Sequence, residues 1–430
     1  MSRILIRGGT LYDPKKRTEG RYDLLIDKGR IVKISDQIPS TEAPTVLDVK
    51  GLAIFPGFID LHAHFREPGE EHKEDLESGS RSALAGGFVA VCVMPNTRPP
   101  LSDRSRIEYI RSREEELRLI KILPVGTITK ERVGKELAEL LEMRDAGAVA
   151  FSDDGAWVAD GALMRHALEY SRWLHTPIVS HAEDPTLARG VMHEGEVSDV
   201  LGLKGRPRIS EDVAVFRDLA LAELTGGYLH VAHVSSYSAA RLIWEAKQRG
   251  VHVTAEVTPH HLTFTDERLR SFDTRYKVNP PLREEQDRRA LIEALKEGVI
   301  DVVATDHAPH TDFEKEADFL QAPPGMIGIQ WAFAQLYTFL VLTGEVDLWT
   351  LLDALTWKPA KILGEPQWGQ IQEGYPAHLT LVDLQHEWVL EERRILSKSK
   401  NTPLLGEKLR GWVRWTMVAG KLFSVDDLLG

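Results

Sequence analysis

Cysteine is almost absent from this sequence, and long apolar runs are missing from it. The single cysteine, Cys92, excludes an intrachain disulfide, and its place in the apolar run 88–94 predicts a small buried side chain. No apolar stretch is long enough to cross a bilayer, and residues 1–7 show no secretory signal pattern. We therefore expect a cytoplasmic protein without structural disulfides.

Positive charge is also in short supply. Lysine and arginine total 53 against 65 aspartate and glutamate residues, which gives a formal net charge of −12. This balance argues against a nucleic-acid or anionic-membrane surface, although a local site can still be positive and bind a small anion. With 43% hydrophobic residues in 430, the chain can bury a large core.

Apolar runs of strand length alternate with helical stretches between residues 54 and 307. Each run is apolar throughout, which is typical of parallel strands that are covered on both faces. The eight runs are 54–64, 88–96, 120–128, 148–154, 177–183, 228–235, 251–258 and 300–307. The helical stretches include 102–117, 130–146, 161–175, 210–224, 237–249 and 284–298. Eight such units predict an α/β fold, a (β/α)8 TIM barrel.

Both ends of the chain have a different sequence pattern from the barrel region. Residues 1–50 contain short strand patterns and turn signals, and strand patterns return near 379–383, 412–418 and 421–423. Two helical segments, 326–342 and 346–363, separate the barrel from this tail. We therefore predict a small β-sandwich-like domain from residues 1–53 and 365–430, and a barrel domain from residues 54–364.

Ligand-type side chains recur where the predicted strands end. Active sites of TIM barrels form at the carboxyl ends of the strands, so these side chains are expected to converge there. The candidates are His62, His64, Asp154, His181, His233 and Asp306. Each has an ordinary structural explanation: His233 alone would suit a core position, and Asp154 could belong to a turn. Together they favour a metal-assisted hydrolase in which imidazole and carboxylate hold one or two zinc ions. Asp306 would accept the proton of the attacking water and pass it to a leaving nitrogen.

Six short motifs resemble one known family. They are PGFIDLHAH (56–64), FREPG (65–69), MPNT (94–97), FSDDG (151–155), NPPLR (279–283) and ATDHAPH (304–310). The first resembles the metal-binding entry of the amidohydrolase superfamily, and the set resembles class I dihydroorotase over nearly the whole chain. The resemblance implies the reversible cyclisation of N-carbamoyl-L-aspartate to dihydroorotate, a step of pyrimidine biosynthesis.

The resemblance also implies roles for individual residues. Many relatives bridge two metal ions with a carbamylated lysine, whereas class I members place an aspartate there, and the spacing to His181 favours Asp154 over Asp153. Arg66 would bind the substrate carboxylate as a bidentate fork. The further substrate contacts would come from Asn96, Asn279, His310 and the backbone of Pro324 and Gly325. The long segment 311–327 is expected to close over the substrate.

Two other functions remain open at this stage. Some class I members are inactive until they bind aspartate transcarbamoylase, so the chain could be a partner-activated or non-catalytic subunit. It could also be another cyclic-amide hydrolase, a hydantoinase or allantoinase, although these usually need the missing lysine. We further expect a homo-oligomer.

Overall fold

The computed structural model describes residues 3–430. Their strands are β1 (Ile4–Asp13), β2 (Thr18–Asp27), β3 (Arg30–Ser35), β4 (Thr45–Asp48), β5 (Ala53–Pro56), β6 (Phe58–Ala63), β7 (Phe88–Val93), β8 (Lys121–Gly126), β9 (Ala150–Ser152), β10 (Ile178–Ser180), β11 (Met192–His193), β12 (Gly205–Arg206), β13 (Leu229–Val231), β14 (Val253–Val257), β15 (Val302–Val303), β16 (Leu379–Val389), β17 (Lys408–Val418) and β18 (Lys421–Ser424).

The α-helices of the described residues lie between β6 and β16, except for α14, which follows β18. They are α1 (Leu76–Ala85), α2 (Arg104–Leu117), α3 (Leu140–Ala146), α4 (Gly161–Leu174), α5 (Glu196–Leu201), α6 (Ile209–Thr225), α7 (Tyr237–Gln248), α8 (Pro259–Thr263), α9 (Glu285–Lys296), α10 (Asp312–Lys315), α11 (Ala332–Leu336), α12 (Leu348–Leu355), α13 (Trp357–Ile362) and α14 (Val425–Leu429). Side-chain caps fix several starts: Ser236 accepts a hydrogen bond from the Ala239 amide at the start of α7. Across residues 3–430, no helix combines the length and the apolarity that a membrane span requires.

Eight parallel strands form the barrel, in the order β15-β14-β13-β10-β9-β8-β7-β6. Strands β6 and β7 are buried along their whole length, as expected for strands covered on both faces. Backbone hydrogen bonds from Asp306 N to His62 O (2.9 Å) and from His64 N to His307 O (2.8 Å) join the last strand position to β6. The predicted fold class is confirmed, and the closure brings the carboxyl ends of all eight strands to one rim.

A second sheet is built from both ends of the chain. Its order is β18-β17-β16-β5-β1-β2-β3, and β4 pairs with β1. The sheet contacts the barrel through Thr380, whose hydroxyl donates to Gly87 O at 2.5 Å, and through Thr416, which donates to Leu84 O at 2.7 Å. The predicted domain boundary at 53/54 falls inside β5, so the exact division into domains stays a prediction.

Two predicted elements differ from the observed ones. The run 54–64 is two strands and not one, because the chain turns at Gly57 and β5 pairs with β16 in the terminal sheet. The stretch 130–146 is α-helical only from Leu140 to Ala146. Glu131 and Arg132 have φ of 50° and 58°, a left-handed conformation that an α-helix cannot contain.

Candidate metal centre

Six histidine and aspartate side chains meet at the carboxyl rim of the barrel, and they are the six selected from the sequence. They are His62, His64, Asp154, His181, His233 and Asp306, and each is buried. His62 lies within β6, and the others lie one to three residues beyond the ends of their strands. Because parallel strands all end at the same rim, residues distant in the chain become neighbours here.

Asp154 lies at the centre of this cluster. Its Oδ1 atom is 3.3 Å from His62 Nε2, 3.6 Å from His181 Nδ1 and 3.7 Å from His233 Nε2. Its other oxygen, Oδ2, is 3.5 Å from His64 Nε2. One carboxylate therefore faces histidines on two sides, which is the arrangement of a ligand that bridges two ions.

Asp153 points away from the cluster. Its carboxylate accepts hydrogen bonds from the backbone amides of Ile128 (2.9 Å) and Thr129 (3.0 Å), and from the Thr129 hydroxyl. These contacts hold the loop after β8 against the loop after β9. Of the two neighbouring aspartates, only Asp154 is in position to be a metal ligand.

Asp306 closes the cluster on the side of β6. Its Oδ1 atom is 3.0 Å from His64 Nε2 and 3.6 Å from His62 Nε2. Across the cluster, His181 Nδ1 and His233 Nε2 are 2.8 Å apart. The cluster contains two groups of three residues whose donor atoms lie within 4.8 Å of one another. They are His62–Asp154–His233 and His62–His64–Asp306.

The donor atoms of the cluster fit a divalent cation. His62 Nε2 and Asp154 Oδ1 are buried, and neither has a hydrogen-bond partner within residues 3–430. The two atoms lie 3.3 Å apart without a hydrogen bond between them, so an ion bound by both would satisfy them. Imidazole nitrogen with carboxylate oxygen is a donor set that zinc accepts readily.

The electrostatics of the cluster also favour a cation. Burial alone would raise the pKa of Asp154, but the neighbouring histidines, His62 first, hold it well below its ordinary value. Burial alone would lower the pKa of His62, yet Asp154 and Glu256 outweigh it and raise that pKa well above its ordinary value. The pKa of His181 likewise rises to about 9, against the effect of burial, because of Asp154 and Glu183. The carboxylates stay ionised, and a metal ion can replace the protons that the imidazoles hold.

Glu256 supports the cluster from below and was not among the predicted site residues. It is fully buried in β14, and its two oxygens lie 2.6 Å from His62 Nδ1 and 3.0 Å from His230 Nε2. The carboxylate holds the Nδ1 proton of His62, so Nε2 is the nitrogen that faces the cluster and would bind a metal ion. A glutamate inside the apolar run 251–258 was the available signal, since such a residue is rarely buried without a partner.

A cavity of about 270 Å³ opens onto the cluster. All six residues predicted to bind substrate line it: Arg66, Asn96, Asn279, His310, Pro324 and Gly325. His62 is the one predicted site residue that does not line the cavity, because it lies beneath the other ligands. The volume suits a small cyclic molecule.

Arg66 presents a buried guanidinium to this cavity. The side chain has no carboxylate within 4 Å among residues 3–430, and burial lowers its pKa. The two nearby glutamates are engaged elsewhere: Glu67 pairs with Arg113 at 3.2 Å, and Glu70 pairs with Lys73 at 2.9 Å. A surface salt bridge with either glutamate, the ordinary explanation for Arg66, is therefore absent.

Two asparagines connect the cavity to the histidines. Asn96 Oδ1 lies 2.9 Å from His64 Nδ1 and accepts its proton, which leaves the Asn96 amide group available. Asn279 Nδ2 is 3.2 Å from His181 Nε2. Each asparagine therefore orients one candidate metal ligand, His64 or His181, and also lines the cavity.

The segment 311–327 forms one wall of the cavity through Pro323, Pro324 and Gly325. Two buried lysines hold it in place. Lys277 Nζ donates to Phe319 O and Ala322 O, both at 2.7 Å, and Lys315 Nζ donates to Pro323 O at 2.9 Å. The segment is therefore anchored beside the cavity, and its opening and closing stay a prediction.

Comparison with known proteins places this arrangement in a family. A family model described as "Dihydro-orotase-like" matches residues 51–239. A dihydroorotase of Carboxydothermus hydrogenoformans is 48% identical over 97% of both chains, and one of Aquifex aeolicus is 45% identical over 99% of this chain and all of the other. Among solved structures, an L-hydantoinase (dihydropyrimidinase) of Arthrobacter aurescens has a TM-score of 0.88 at 25% identity, covering 99% of this chain and 96% of its own.

The barrel, its rim of histidines and aspartates, and these neighbours define a cyclic amidohydrolase. Dihydroorotases that are 43–48% identical to nearly the whole chain identify the family within this class. The chain belongs to the dihydroorotase family, as its motifs predicted.

Proposed function

We propose that this enzyme interconverts N-carbamoyl-L-aspartate and (S)-dihydroorotate plus water. The dihydroorotases to which the chain is 43–48% identical support the reaction. The observation that carries the substrate assignment is Arg66, a buried guanidinium beside the cluster with no carboxylate of its own. Dihydroorotate differs from a plain cyclic amide by a carboxylate, and a guanidinium fork is the side chain that binds one with two parallel hydrogen bonds.

The cluster would hold one or two zinc ions through His62, His64, Asp154, His181, His233 and Asp306, and Asp154 would be the bridging ligand of a two-ion site. When bound, zinc supplies a water of lowered pKa and polarises the amide carbonyl. Asp306 acts as the base: its pKa is held below the ordinary value, against the effect of burial, by His64 and His62, so it is ionised at neutral pH. In hydrolysis it takes a proton from water and delivers it to the ring nitrogen as the C–N bond breaks.

The remaining cavity residues orient the substrate. Asn96 uses its free amide group, and His310 adds a hydrogen bond to the carboxylate held by Arg66. Asn279 and the backbone of Pro324 and Gly325 contact the edge of the ring. Holding the reacting carbonyl at a fixed place converts a bimolecular step into an intramolecular one.

The decisive experiment compares two substrates that differ only in the carboxylate. The unaltered enzyme should hydrolyse dihydroorotate with a far higher kcat/KM than dihydrouracil. Arg66→Ala should raise KM for dihydroorotate and lower kcat/KM roughly 10²-fold, the loss of a charge-assisted bidentate pair worth about 3 kcal/mol. The same variant should change dihydrouracil hydrolysis little.

Arg165→Ala is the matched control, because Arg165 is an arginine of α4 that pairs with Glu169 and does not line the cavity. It should leave both substrates unaffected. Equal losses with both substrates in Arg66→Ala, or a preference for dihydrouracil in the unaltered enzyme, would contradict the assignment and favour a hydantoinase or dihydropyrimidinase.

The finer features of the function are part of the same proposal. We propose zinc as the metal, a role in pyrimidine biosynthesis in the cytoplasm, a homo-oligomer, and aspartate transcarbamoylase as a possible partner. Elemental analysis of purified protein gives the metal and its count. An assay of the chain alone, repeated with added transcarbamoylase, separates an active enzyme from a partner-activated or non-catalytic subunit.

A further inference from the structure

A second and larger cavity lies at the other end of the barrel. Its volume is about 680 Å³, against about 270 Å³ at the metal centre. Its walls come from residues that precede β10, β13, β14 and β15, and from helix α13. These are the amino ends of the strands, so this floor cavity, lined among others by Tyr228, His252, Asp301, Trp357, Lys358 and Lys361, is separate from the candidate metal centre.

Two lysines give the floor cavity positive charge. Lys358 and Lys361 are three residues apart on α13 and therefore lie on the same side of the helix. Lys358 is half-buried, and neither ammonium has an acceptor or a carboxylate partner within residues 3–430. An unpaired, partly buried ammonium is unfavourable, so an anion at this position would be stabilised.

The acidic residue of the cavity does not cancel this charge. Asp301 is held by Lys247, whose Nζ atom lies 2.7 Å from Oδ2, and the same oxygen accepts a hydrogen bond from the Ala255 amide at 2.8 Å. Its charge is therefore neutralised within the protein. The free charges that face the cavity are those of Lys358 and Lys361.

Aromatic rings also line the floor cavity. Tyr228 and His252 are stacked, with centroids 5.3 Å apart and an angle of 11° between the ring planes. The ring of His175 also contacts the ring of Tyr228, with the two centroids 6.2 Å apart. Trp357 is half-buried in the cavity wall. Flat apolar faces of this kind bind planar rings by offset or edge contact.

We propose that the floor cavity binds a planar aromatic anion of nucleotide size, with its ring against Tyr228 and His252 and its phosphate at Lys358 and Lys361. The volume falls in the range of small-molecule sites, and lysine is a common ligand of phosphate. Catalysis in TIM barrels takes place at the other rim, so the inference is a binding site and not a second reaction.

The test is calorimetric titration of the metal-loaded, full-length protein. The probes are adenosine and uridine 5′-monophosphates, the two nucleosides without phosphate, and inorganic phosphate alone. At least one nucleotide should bind at one molecule per chain, and the nucleosides and phosphate should bind much more weakly. Lys358→Met keeps the aliphatic stem and should weaken binding roughly tenfold, the effect of one charge-assisted hydrogen bond.

Lys296→Met is the matched control, since Lys296 lies at the end of α9, pairs with Glu293 and does not line the cavity. It should leave binding unchanged. No heat from either nucleotide at millimolar concentration would overturn the proposal, as would binding that Lys358→Met and Tyr228→Leu leave intact. If Lys358→Met does not fold, hydrogen exchange of the unaltered protein decides. Nucleotide-dependent protection of residues 357–364 supports the site, and protection confined to the carboxyl rim overturns it.

Discussion

Replacing Glu256 by glutamine should weaken metal binding without unfolding the protein. Glu256 holds His62 with a buried 2.6 Å contact and His230 with a 3.0 Å contact. A buried hydrogen bond to a charged acceptor contributes about 1.5–3 kcal/mol, and a neutral one about 0.5–1.5 kcal/mol. The difference of about 1–2 kcal/mol corresponds to a loss of roughly 5- to 30-fold in metal affinity, within the range for residues that orient metal ligands.

The assay is competition for zinc between metal-free protein and a chromophoric chelator. Glu114→Gln is the matched control, because Glu114 is a buried glutamate on α2 that pairs with Arg111 and Lys121, away from the cluster. Thermal unfolding of both metal-free variants shows whether the fold persists. Unchanged zinc affinity in Glu256→Gln would refute the argument that Glu256 sets the proton position of His62.

Four further outcomes are expected. Asp306→Asn should lower kcat by roughly 10²- to 10⁴-fold with an unchanged circular dichroism spectrum, and retained turnover would exclude Asp306 as the base. Removing the metal with a chelator should lower Tm by a few degrees, and added zinc should restore it. Lys277→Met should raise KM and speed proteolysis within 311–327, whereas Lys296→Met should do neither. Burial, then Glu284, raises the pKa of Asp266 to about 6, whereas in the unfolded chain the carboxyl ionises near its ordinary value of about 3.9. The cost to folding therefore grows between about pH 4 and pH 6 and is nearly constant above. Asp266→Asn should raise Tm increasingly from about pH 4 to 6 and by a constant amount at higher pH, and a pH-independent effect over that window would contradict this.

The sequence was sufficient for the barrel and the residues that gather at its rim. Apolar runs mark strands buried on both faces, and a histidine or aspartate after such a run lies at the strand end wherever that strand is placed. The choice of Asp154 over Asp153 came from a family likeness. The structure adds its physical reason, since Asp153 accepts three hydrogen bonds from Ile128 and Thr129.

Other features depend on tertiary contacts that a linear pattern does not contain. The stretch 130–146 has helical periodicity, but its first part adopts left-handed turns, and Arg132 reaches back to donate to the carbonyl groups of Asp153 and Asp154. The run 54–64 is apolar on both sides of Gly57, so its division between two sheets leaves no trace in hydrophobicity. Glu256 acquires its role only when the barrel closes and the side chain of His62 on β6 comes within reach of β14.

The sheet made from both chain ends affects the order in which the enzyme can mature. Strand β5 leads directly through Gly57 into β6, which carries His62, and β5 is paired with β16 near the end of the chain. During synthesis, β6, which carries the first proposed metal ligand, therefore follows a strand whose pairing with β16 forms only when the last part of the polypeptide is made. We expect chains released before residue 379 to retain little zinc, which metal analysis of stalled or truncated products would show.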